Sequence, residues 1–498
     1  MKKKLAFDYD YYLKIQKKAI VDRISKFDKK LYLEFGGKLF DDLHASRVLP
    51  GFPSDAKINL LTTLKDKMEI IIVVNSKDIC SNKVRNDIGI TYEAEVKRLI
   101  RSFDRLDLHV CGVVVSFYED SPAIDEFEKD LENIGVKMYK HYAIKGYPQN
   151  IPLILSKEGL GRNEYVSTTK PLIVVTAPGP GSGKMATCLS QLYHDNKRGI
   201  KSGYAKYETF PIWNLPLKHP VNLAYEAATA DLDDVNMIDP FHLEHYGKQA
   251  VNYNRDVNVF PLLYSIFTNI YGSSPYFSPT DMGVNMAGFA IKDDEAACKA
   301  SKEEIVRRYY VARKQVFLGK YSDETLKKIE YLMNSINVTS SERKCVKAAL
   351  DKMKSSGEQC CLSLELPNGK MVTGRRSTLF SAPAALIINA LKSLGKIDDS
   401  IPLLSPNVIE PIQELKVNGL HNHNPRIHAD EVLIALAIQA NSNPLAAFAL
   451  KQLPKLKGLQ SHCTYVLHES DFATFHKLGI QVTEEPVVYV KNIIQAKK

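Results

Sequence analysis

The segment 171–192 constrains the fold of this chain most strongly, because it joins a strand pattern to a helix pattern through a glycine-rich turn. The apolar run Leu-Ile-Val-Val-Thr leads into Ala-Pro-Gly-Pro-Gly-Ser-Gly-Lys, and a helix-forming stretch follows. Small residues let backbone N–H groups surround an anion, a helix N-terminus adds partial positive charge, and lysine adds a full one. The pattern predicts a phosphate-binding turn in an α/β fold, formed by Gly179, Gly181, Ser182, Gly183 and Lys184.

The turn departs at two positions from the P-loop pattern G-x-x-x-x-G-K-[ST]. Pro178 stands in place of the first glycine, and Met185 stands in place of the hydroxyl that binds magnesium. We interpret the segment as a phosphate or nucleotide cradle with incomplete magnesium chemistry. The alternative is a glycine-rich turn between a strand and a helix that binds no ligand.

Length and composition predict a globular protein of several domains. The chain has 498 residues, of which 45% are hydrophobic and 25% are charged, and this length corresponds to about two to four domains. No segment has the roughly 18 uninterrupted apolar residues of a membrane span. Residues 1–10 lack the apolar core of a signal peptide. We therefore expect a cytoplasmic protein with no membrane partner.

The charge balance favours anionic ligands without indicating nucleic acid. A net charge of +9 arises from 66 basic and 57 acidic residues. The basic residues are spread along the chain and form no run interleaved with aromatic residues, so no nucleic-acid partner is expected. The eight cysteines form no disulfide framework in so long a chain, and we expect thiols in a reducing compartment.

Strand-like apolar runs alternate with helix-like segments, which predicts open, mostly parallel sheets. We divide the chain into an N-terminal α/β domain at 1–165 and a P-loop-like α/β domain with a long irregular insert at 166–321. A helical segment at 322–357 and a C-terminal α/β domain at 358–498 follow. The strands expected in the C-terminal domain are 362–366, 370–373, 464–467 and 486–490. A Thr339-x-x-Glu342 capping box is expected to open a helix at 342–354.

Ligands in open α/β sheets gather outside the carboxyl ends of the strands, and polar residues follow several of the predicted strands. After the strand at 30–35, Lys38 and Arg47 are candidates to hold a phosphate or carboxylate, and Asp41 and His44 are candidates for proton transfer or metal binding. The alternative is a glycine turn with capping acids. Lys206, Glu208 and Thr209 occupy the corresponding place at the end of the strand predicted at 203–209.

Two further groups are candidates for ligand binding. Asp239 is a candidate for the acid that holds magnesium opposite the phosphate turn, and the alternative is a helix cap. Arg375 and Arg376 end a predicted hairpin and form a candidate anion clamp, and the alternative is a pair of surface arginines.

Histidines are densest at 421–431. His421, His423 and His428 lie there with two acids, which makes them candidate metal ligands. Anion binding by Arg426 at a helix N-terminus and plain helix capping are the other interpretations. The H-x-E element of zinc deaminases is excluded, because no P-C-x-x-C follows it.

Four motifs, taken together, resemble those of a known bacterial family. They lie at 34–38 (EFGGK), 44–52 (HASRVLPGF), 176–184 (TAPGPGSGK) and 421–426 (HNHNPR). Through them the whole chain resembles the uncharacterised protein family 0371, also called domain of unknown function 1846. The resemblance implies a multi-domain α/β fold with a helical insert and a small C-terminal α/β domain. It implies no reaction, and no H-E-x-x-H or G-x-S-x-G supports a peptidase.

A local resemblance links residues 176–184 to the phosphate loop of formate–tetrahydrofolate ligase. Met185 and Ala186 stand where that enzyme carries hydroxyls, and Thr187 offers one from one position too far along the helix. The similarity implies phosphate binding while questioning magnesium-dependent nucleotide hydrolysis.

The sequence therefore predicts a cytosolic enzyme that acts on a small phosphorylated ligand or nucleotide, with chemistry of the ligase or phosphotransfer type. A nucleotide and Mg²⁺ are the candidate cofactors. The alternative is a non-catalytic nucleotide or metabolite sensor, and a structural role comes third. The chain is compatible with a homo-oligomer.

Overall fold

The structure is a computed structural model that describes residues 5–28, 30–40, 42–85 and 89–488. Its contacts divide the chain into two compact units. One unit comprises Leu5–Ser301, and the main part of the other begins at Lys302. Each unit has its own sheet and its own apolar core.

The unit Leu5–Ser301 is built on a six-stranded sheet in the order β4-β3-β2-β5-β1-β6, and every pair of neighbouring strands is parallel. The buried strands are almost continuously apolar, as a parallel sheet covered on both faces requires. The predicted α/β class is confirmed. The strands are β1 (Leu31–Phe35), β2 (Met68–Asn75), β3 (Val110–Ser116), β4 (Met138–Lys140), β5 (Leu172–Thr176) and β6 (Gly203–Tyr207).

Short antiparallel pairs accompany this sheet: Val84–Arg85 with Ile90–Thr91, and Asn236–Ile238 with Val251–Tyr253. The insert that follows β6 carries helices of its own, and one of them, Asn254–Tyr271, contributes to the core of the sheet. The helices of the unit are Tyr9–Ile24, Leu43–Val48, Ala56–Thr62, Ser76–Cys80, Tyr92–Asp104, Pro122–Asn133, Ile151–Ile154, Lys184–Lys197, Pro220–Ala228, Pro240–Tyr246, Asn254–Tyr271 and Pro279–Met282.

The structure divides this region differently from the boundary expected at residue 165. β5 lies between β2 and β1, and its Val175 is in register with Glu34 of β1. Strands from both expected domains therefore form one sheet. A long crossover connection can return a parallel strand to the middle of a sheet as well as to its edge, so strand order is not visible in the local pattern of the sequence.

The strand order creates a switch point between β2 and β5. The chain leaves β2 towards β3 and β4 on one side, whereas it leaves β5 towards β6 on the other side. Connections that leave neighbouring strands in opposite directions open a crevice at their carboxyl ends, where α/β proteins bind ligands. The glycine-rich turn after β5 begins at this crevice.

The second unit contains a mixed four-stranded sheet of β7 (Cys361–Glu365), β8 (Met371–Arg375), β9 (Gln460–Cys463) and β10 (Gln481–Glu484) in the order β8-β7-β9-β10. β7 and β8 form the expected antiparallel hairpin, and β10 runs parallel to β9.

Two strands of this sheet lie away from their expected positions. β9 ends before 464–467 and β10 ends before 486–490, of which residues 489 and 490 lie outside the described residues. β9 has the sequence Gln-Ser-His-Cys, in which no apolar pattern indicates a strand. Its polar residues Ser461 and His462 are buried in the sheet, where their side chains form hydrogen bonds. Ser461 Oγ donates to Ser363 O at 2.7 Å, and His462 Nδ1 lies 2.9 Å from Thr483 Oγ1.

The expected capping box at Thr339 does not open a helix. Residues Ser340–Glu342 form one 3₁₀ turn, and the helix begins at Lys344 because Arg343 has an extended backbone. Among the described residues, no helix is both long and apolar enough to cross a membrane. Helix Asp294–Phe317 spans the boundary between the units, and the helices after it are Asp323–Ser335, Lys344–Ser356, Ala382–Gly395, Pro406–Glu414, Ala429–Gln439, Pro444–Leu450 and Glu469–Lys477.

Candidate functional site

The glycine-rich turn connects Thr176 at the end of β5 to Lys184 at the start of the next helix. Gly181 and Gly183 adopt positive φ angles of +72° and +87°, a conformation that glycine reaches without steric cost. Gly183 is the N-cap of the helix and supplies no side chain to bond the first backbone N–H groups. The chain therefore uses glycine at the two positions where the backbone bends.

The turn is held against the carboxyl ends of β2 and β3. Ser116 Oγ, at the end of β3, donates to Ser182 O at 2.7 Å, and Ser182 Oγ donates to Gly179 O at 2.8 Å. A Cβ atom on Gly179 would lie 2.2 Å from the Tyr92 hydroxyl, and one on Gly183 would lie 2.9 Å from Ser116 Oγ. Close packing on both sides thus leaves no room for larger residues at these glycines.

The turn presents hydrogen-bond donors that the protein itself does not use. Within the described part of the chain, no group accepts a hydrogen bond from the backbone N–H of Gly181, Ser182, Gly183 or Lys184. Lys184 also forms no ion pair with any described residue. Free N–H groups at a helix N-terminus together with a lysine form an anion-binding arrangement.

The hydroxyl expected from Thr187 is not presented to this turn. Thr187 is fully buried, and its Oγ1 makes no hydrogen bond with any described residue. Met185 is partly buried against the apolar core. The position that normally supplies a magnesium-binding hydroxyl therefore carries a thioether here.

A second polar cluster lies at the carboxyl end of β1 and β6 on the same sheet. Glu34 of β1 is in register with Lys206 of β6, and Tyr204 donates its hydroxyl to Glu34 Oε2 at 2.7 Å. Lys206 Nζ lies 3.0 Å from Glu208 Oε1 and 2.6 Å from Asp256 Oδ2. We call Glu34, Lys206, Glu208 and Asp256 the acid–lysine cluster.

Burial and charge shift the protonation of this cluster. Burial raises the pKa of Glu208 to about 7, with Lys206 opposing the shift and Asp256 adding to it. Burial alone would lower the pKa of Lys206, but Asp256, Glu208 and Glu34 together raise it. A carboxyl group with a pKa near 7 is suited to general acid and base catalysis at neutral pH.

Electrostatics connect the turn to this cluster through Cys188, which lies one helical turn after Lys184. Burial raises the pKa of the Cys188 thiol, the Glu34 carboxylate raises it further, and the Lys184 ammonium lowers it. The Cys188 thiol therefore lies within electrostatic range of both Lys184 and Glu34. The turn and the acid–lysine cluster both lie at the carboxyl ends of strands of the same sheet.

The residues expected after β1 take different places. Gly36 packs on Glu208, with 2.6 Å between a Cβ at Gly36 and Glu208 Cγ, whereas Lys38 is exposed. His44 packs edge-on against the rings of Phe210 and Tyr225, with centroids 5.1 and 5.2 Å away. Arg47 lies on the same short helix as His44, and Asp41 lies outside the described residues.

Asp42, next to the predicted acid, carries a buried ion pair. Its carboxylate lies 3.0 Å from Lys57 Nζ, and Lys57 also donates to Gly36 O at 3.2 Å. Burial favours the neutral form of Asp42, but Lys57 and the Ala45 N–H hold its pKa below the usual value. This pair fixes the Gly36-Gly37 turn beside Glu208.

Asp239 serves as a helix cap. It is fully buried, and its carboxylate accepts hydrogen bonds from His242 N at 3.0 Å, Thr280 N at 3.1 Å and Thr280 Oγ1 at 2.6 Å. These contacts occupy both oxygens, so the structure supports the capping alternative at this position.

Arg375 and Arg376 belong to the second unit, at the end of β8. Arg376 forms an ion pair with Glu358 at 2.9 Å, and Arg375 is exposed. The structure therefore gives one of the two arginines an internal partner.

The three histidines at 421–428 are not brought together. Within the described residues, the one group of three or more potential ligands lies elsewhere. His421 and His423 are exposed, whereas His428 Nδ1 lies 3.0 Å from Asp471 and its Nε2 lies 3.1 Å from Asn424 Nδ2. The hydrogen bond to Asp471 raises the pKa of His428. The loop thus uses His428 in a capping box of helix Ala429–Gln439.

Asp256 is the main candidate that the sequence interpretation missed. It follows β6 by about fifty positions and reaches Lys206 only because helix Asn254–Tyr271 packs beside that strand. The alternation of Lys206 and Glu208 at the end of β6 is the signal in the sequence, since side chains two positions apart point to the same face.

Comparison with known proteins places the whole chain in one family. Residues 5–337 match the family model described as Domain of unknown function DUF1846, N-terminal, and residues 341–493 match the C-terminal model of the same name. A UPF0371 protein of Streptococcus pyogenes serotype M5 is 56% identical over 97% of this chain and 98% of the relative. A UPF0371 protein of Streptococcus sanguinis is 54% identical over the same shares. The family resemblance carried by the four motifs is thus confirmed, and the chain belongs to the DUF1846 family.

Proposed function

We propose that this protein binds a phosphorylated small molecule or nucleotide at the turn 178–184. The observation that carries the proposal is the set of backbone N–H groups of Gly181, Ser182, Gly183 and Lys184, none of which meets an acceptor among the described residues. The Lys184 side chain supplies a cation beside them. The turn begins at the crevice between β2 and β5, the kind of position at which α/β proteins bind ligands.

An enzyme of the ligase or phosphotransfer type is the first form of this proposal. Such reactions depend on positioning and on neutralising charge, and Lys184 with the N–H groups serves both needs. Glu208, with its pKa raised by burial to about 7, is the candidate acid and base. Lys206 lies 3.0 Å from its carboxylate, and Asp256 in turn lies 2.6 Å from Lys206.

Binding without turnover is the second form, and the structure of the helix start favours it. Met185 replaces the magnesium-binding hydroxyl, and Thr187 is fully buried beneath the first helical turn. A protein that binds a nucleotide without this metal contact would act as a cytosolic sensor.

The test is a thermal-shift screen of the full chain with nucleotides and sugar phosphates, each with and without Mg²⁺. A ligand at about 100 times its dissociation constant adds roughly 2.7 kcal/mol to stability. We expect a shift in the wild type that Lys184→Ala abolishes and Lys201→Ala preserves. Lys201 is the matched control, because it is exposed and precedes β6 at the opposite edge of the sheet.

The two forms separate in a second measurement on the ligand that shifts the protein. An enzyme converts or hydrolyses it, and Glu208→Gln retains the shift while losing at least about a hundredfold in rate. A sensor leaves it unchanged, with and without Mg²⁺. The absence of any shift, or a shift that Lys184→Ala retains, contradicts the proposal.

A further inference from the structure

A group of three side chains outside the phosphate turn has the composition of a metal site. His219, Asp294 and Cys298 lie in the unit Leu5–Ser301, and one potential ligand atom of each lies within 4.8 Å of the others. None of them belongs to the acid–lysine cluster. Imidazole, carboxylate and thiolate are the three ligand types that proteins offer to Zn²⁺.

Two helices place these side chains together. Asp294 and Cys298 are four residues apart on helix Asp294–Phe317, a spacing that puts both side chains on one face. His219 is the N-cap of helix Pro220–Ala228. The ligands therefore come from secondary-structure elements and not from a mobile loop, as a site of defined geometry requires.

The distances match those of a tetrahedral centre. His219 Nε2 lies 3.0 Å from Asp294 Oδ1 and 3.5 Å from Cys298 Sγ, and Cys298 Sγ lies 3.7 Å from Asp294 Oδ2. Bonds of about 2.0 Å to N and O and about 2.3 Å to S place the ligand atoms of tetrahedral zinc roughly 3.3 to 3.6 Å apart. The observed separations are close to this range, with Asp294 turning Oδ1 to His219 and Oδ2 to Cys298, so a bound ion would take one of the two carboxylate oxygens.

We propose that His219, Asp294 and Cys298 form a binding site for a divalent transition metal of the zinc class. Three protein ligands leave the fourth position of a tetrahedral ion open to water or another ligand. The Asp294 side chain is 65% exposed, whereas His219 is 9% exposed, so the ion enters from the solvent side, past the carboxylate.

A hydrogen bond to the His219 ring determines which proton an ion would displace. Val221 N–H donates to His219 Nδ1 at 3.2 Å, so in the neutral ring the proton is on Nε2, which faces Asp294 and Cys298. Binding at Nε2 replaces that proton, moves one onto Nδ1 and ends the contact with Val221. We therefore expect weaker binding than in a closed four-ligand structural site.

Hydrogen bonds between the same three side chains are the competing explanation, and a cobalt titration separates the two. The full chain is freed of metal with a chelator and titrated with Co²⁺. We expect one equivalent to bind, with a thiolate-to-cobalt charge-transfer band and the strong visible absorption of tetrahedral Co²⁺, and Zn²⁺ should displace it.

The variants are chosen to keep the helix cap at His219 intact. Cys298→Ser should abolish the charge-transfer band, and Asp294→Asn should weaken Co²⁺ binding at least about tenfold. Cys80→Ser is the matched control, because Cys80 is an exposed thiol outside the group, and it should bind like the wild type. Circular dichroism verifies that each variant folds.

Absence of saturable Co²⁺ binding, or a band that survives in Cys298→Ser, would overturn the metal site. Lys184→Ala should bind Co²⁺ like the wild type, and Cys298→Ser should keep any shift by a phosphorylated ligand. The proposal of a metal site and the proposal of phosphate binding at the turn are therefore tested independently.

Discussion

Protonation of Glu208 in the acid–lysine cluster makes the stability of the protein depend on pH. Its folded pKa of about 7 lies above its usual value of 4.5, so between these pH values the folded state holds a proton that the unfolded state has released. The free energy of unfolding therefore falls as pH rises through this window and stays lower above it. The sign is that of a carboxyl group whose charged form is disfavoured by burial.

Glu208→Gln should remove this dependence, because the amide stays neutral at every pH. We expect the variant and the wild type to be about equally stable at pH 5, and the variant to be about 2 to 3 kcal/mol more stable at pH 8. Urea unfolding monitored by Trp213 fluorescence measures the difference, since the chain has 1 tryptophan and it lies in this unit.

Glu244→Gln is the control for this comparison, because Glu244 is exposed on helix Pro240–Tyr246. Its stability relative to the wild type should not vary with pH. If the difference between Glu208→Gln and the wild type is equally flat from pH 5 to 8, the raised pKa of Glu208 is wrong and its role as acid and base loses its basis.

The strand–turn–helix element at 172–197 depends on two glycines with the same backbone conformation and different surroundings. Gly181 has φ +72° and open space where a Cβ would lie. Gly183 has φ +87°, and a Cβ there would meet Ser116 Cβ and Oγ at 2.9 Å. Substitutions at the two positions therefore distinguish the cost of backbone strain from the cost of a steric clash.

Gly181→Ala should therefore cost about 1 kcal/mol, the strain of a left-handed residue. Gly183→Ala should cost about 2 to 4 kcal/mol and should also abolish ligand binding, because the contact moves the helix start away from β3. Urea unfolding by Trp213 fluorescence and the thermal-shift assay measure the two effects. Equal costs at the two positions would show that Ser116 does not fix the turn.

This element is the part of the site that the sequence could predict, because its chemistry is local. Four successive apolar residues, Thr176, a glycine turn and Lys184 follow one another along the chain. The acid–lysine cluster could be predicted only in part. Lys206 and Glu208 stand at the end of a strand that the sequence indicates. Asp256 joins them through tertiary packing of a later helix, and no local pattern indicates such a contact.

The order of the strands could not be predicted from the sequence, for the same physical reason. β1 and β5 are neighbours although more than a hundred residues separate them. Lys38 is exposed, whereas Lys57 and Asp42 form a buried pair that holds the Gly36-Gly37 turn just before it. Local residue types predict that a turn is polar, but not which of its side chains points to a neighbour.

The boundary between the two halves of the molecule differs between the contacts and the family models. The models meet between residues 337 and 341, whereas the compact units divide at residue 301. The later half of helix Asp294–Phe317 therefore belongs with the second unit. Its Tyr310 ring packs on the ring of the fully buried His462, with centroids 4.7 Å apart.

Ionic contacts tie the same helix to the second unit. Arg313 Nη1 lies 2.9 Å from Glu485 Oε2, and Lys314 pairs with Glu484, whose side chain is buried. Removing the helix leaves Glu484 buried without its cation, with the Leu467 N–H at 2.8 Å still donating to its carboxylate. This costs more than the loss of an exposed ion pair, because the desolvated charge keeps no opposite charge beside it. The stability of the second unit should therefore depend on residues that precede the C-terminal family model.

A fragment that begins at residue 302 should consequently fold on its own, and one that begins at residue 341 should be at least about 3 kcal/mol less stable. Urea unfolding monitored by circular dichroism compares them, and Lys314→Ala in the longer fragment should give an intermediate value. A fragment from residue 341 that is as stable as the longer one would contradict this prediction and would place the boundary of the folded unit where the family models meet.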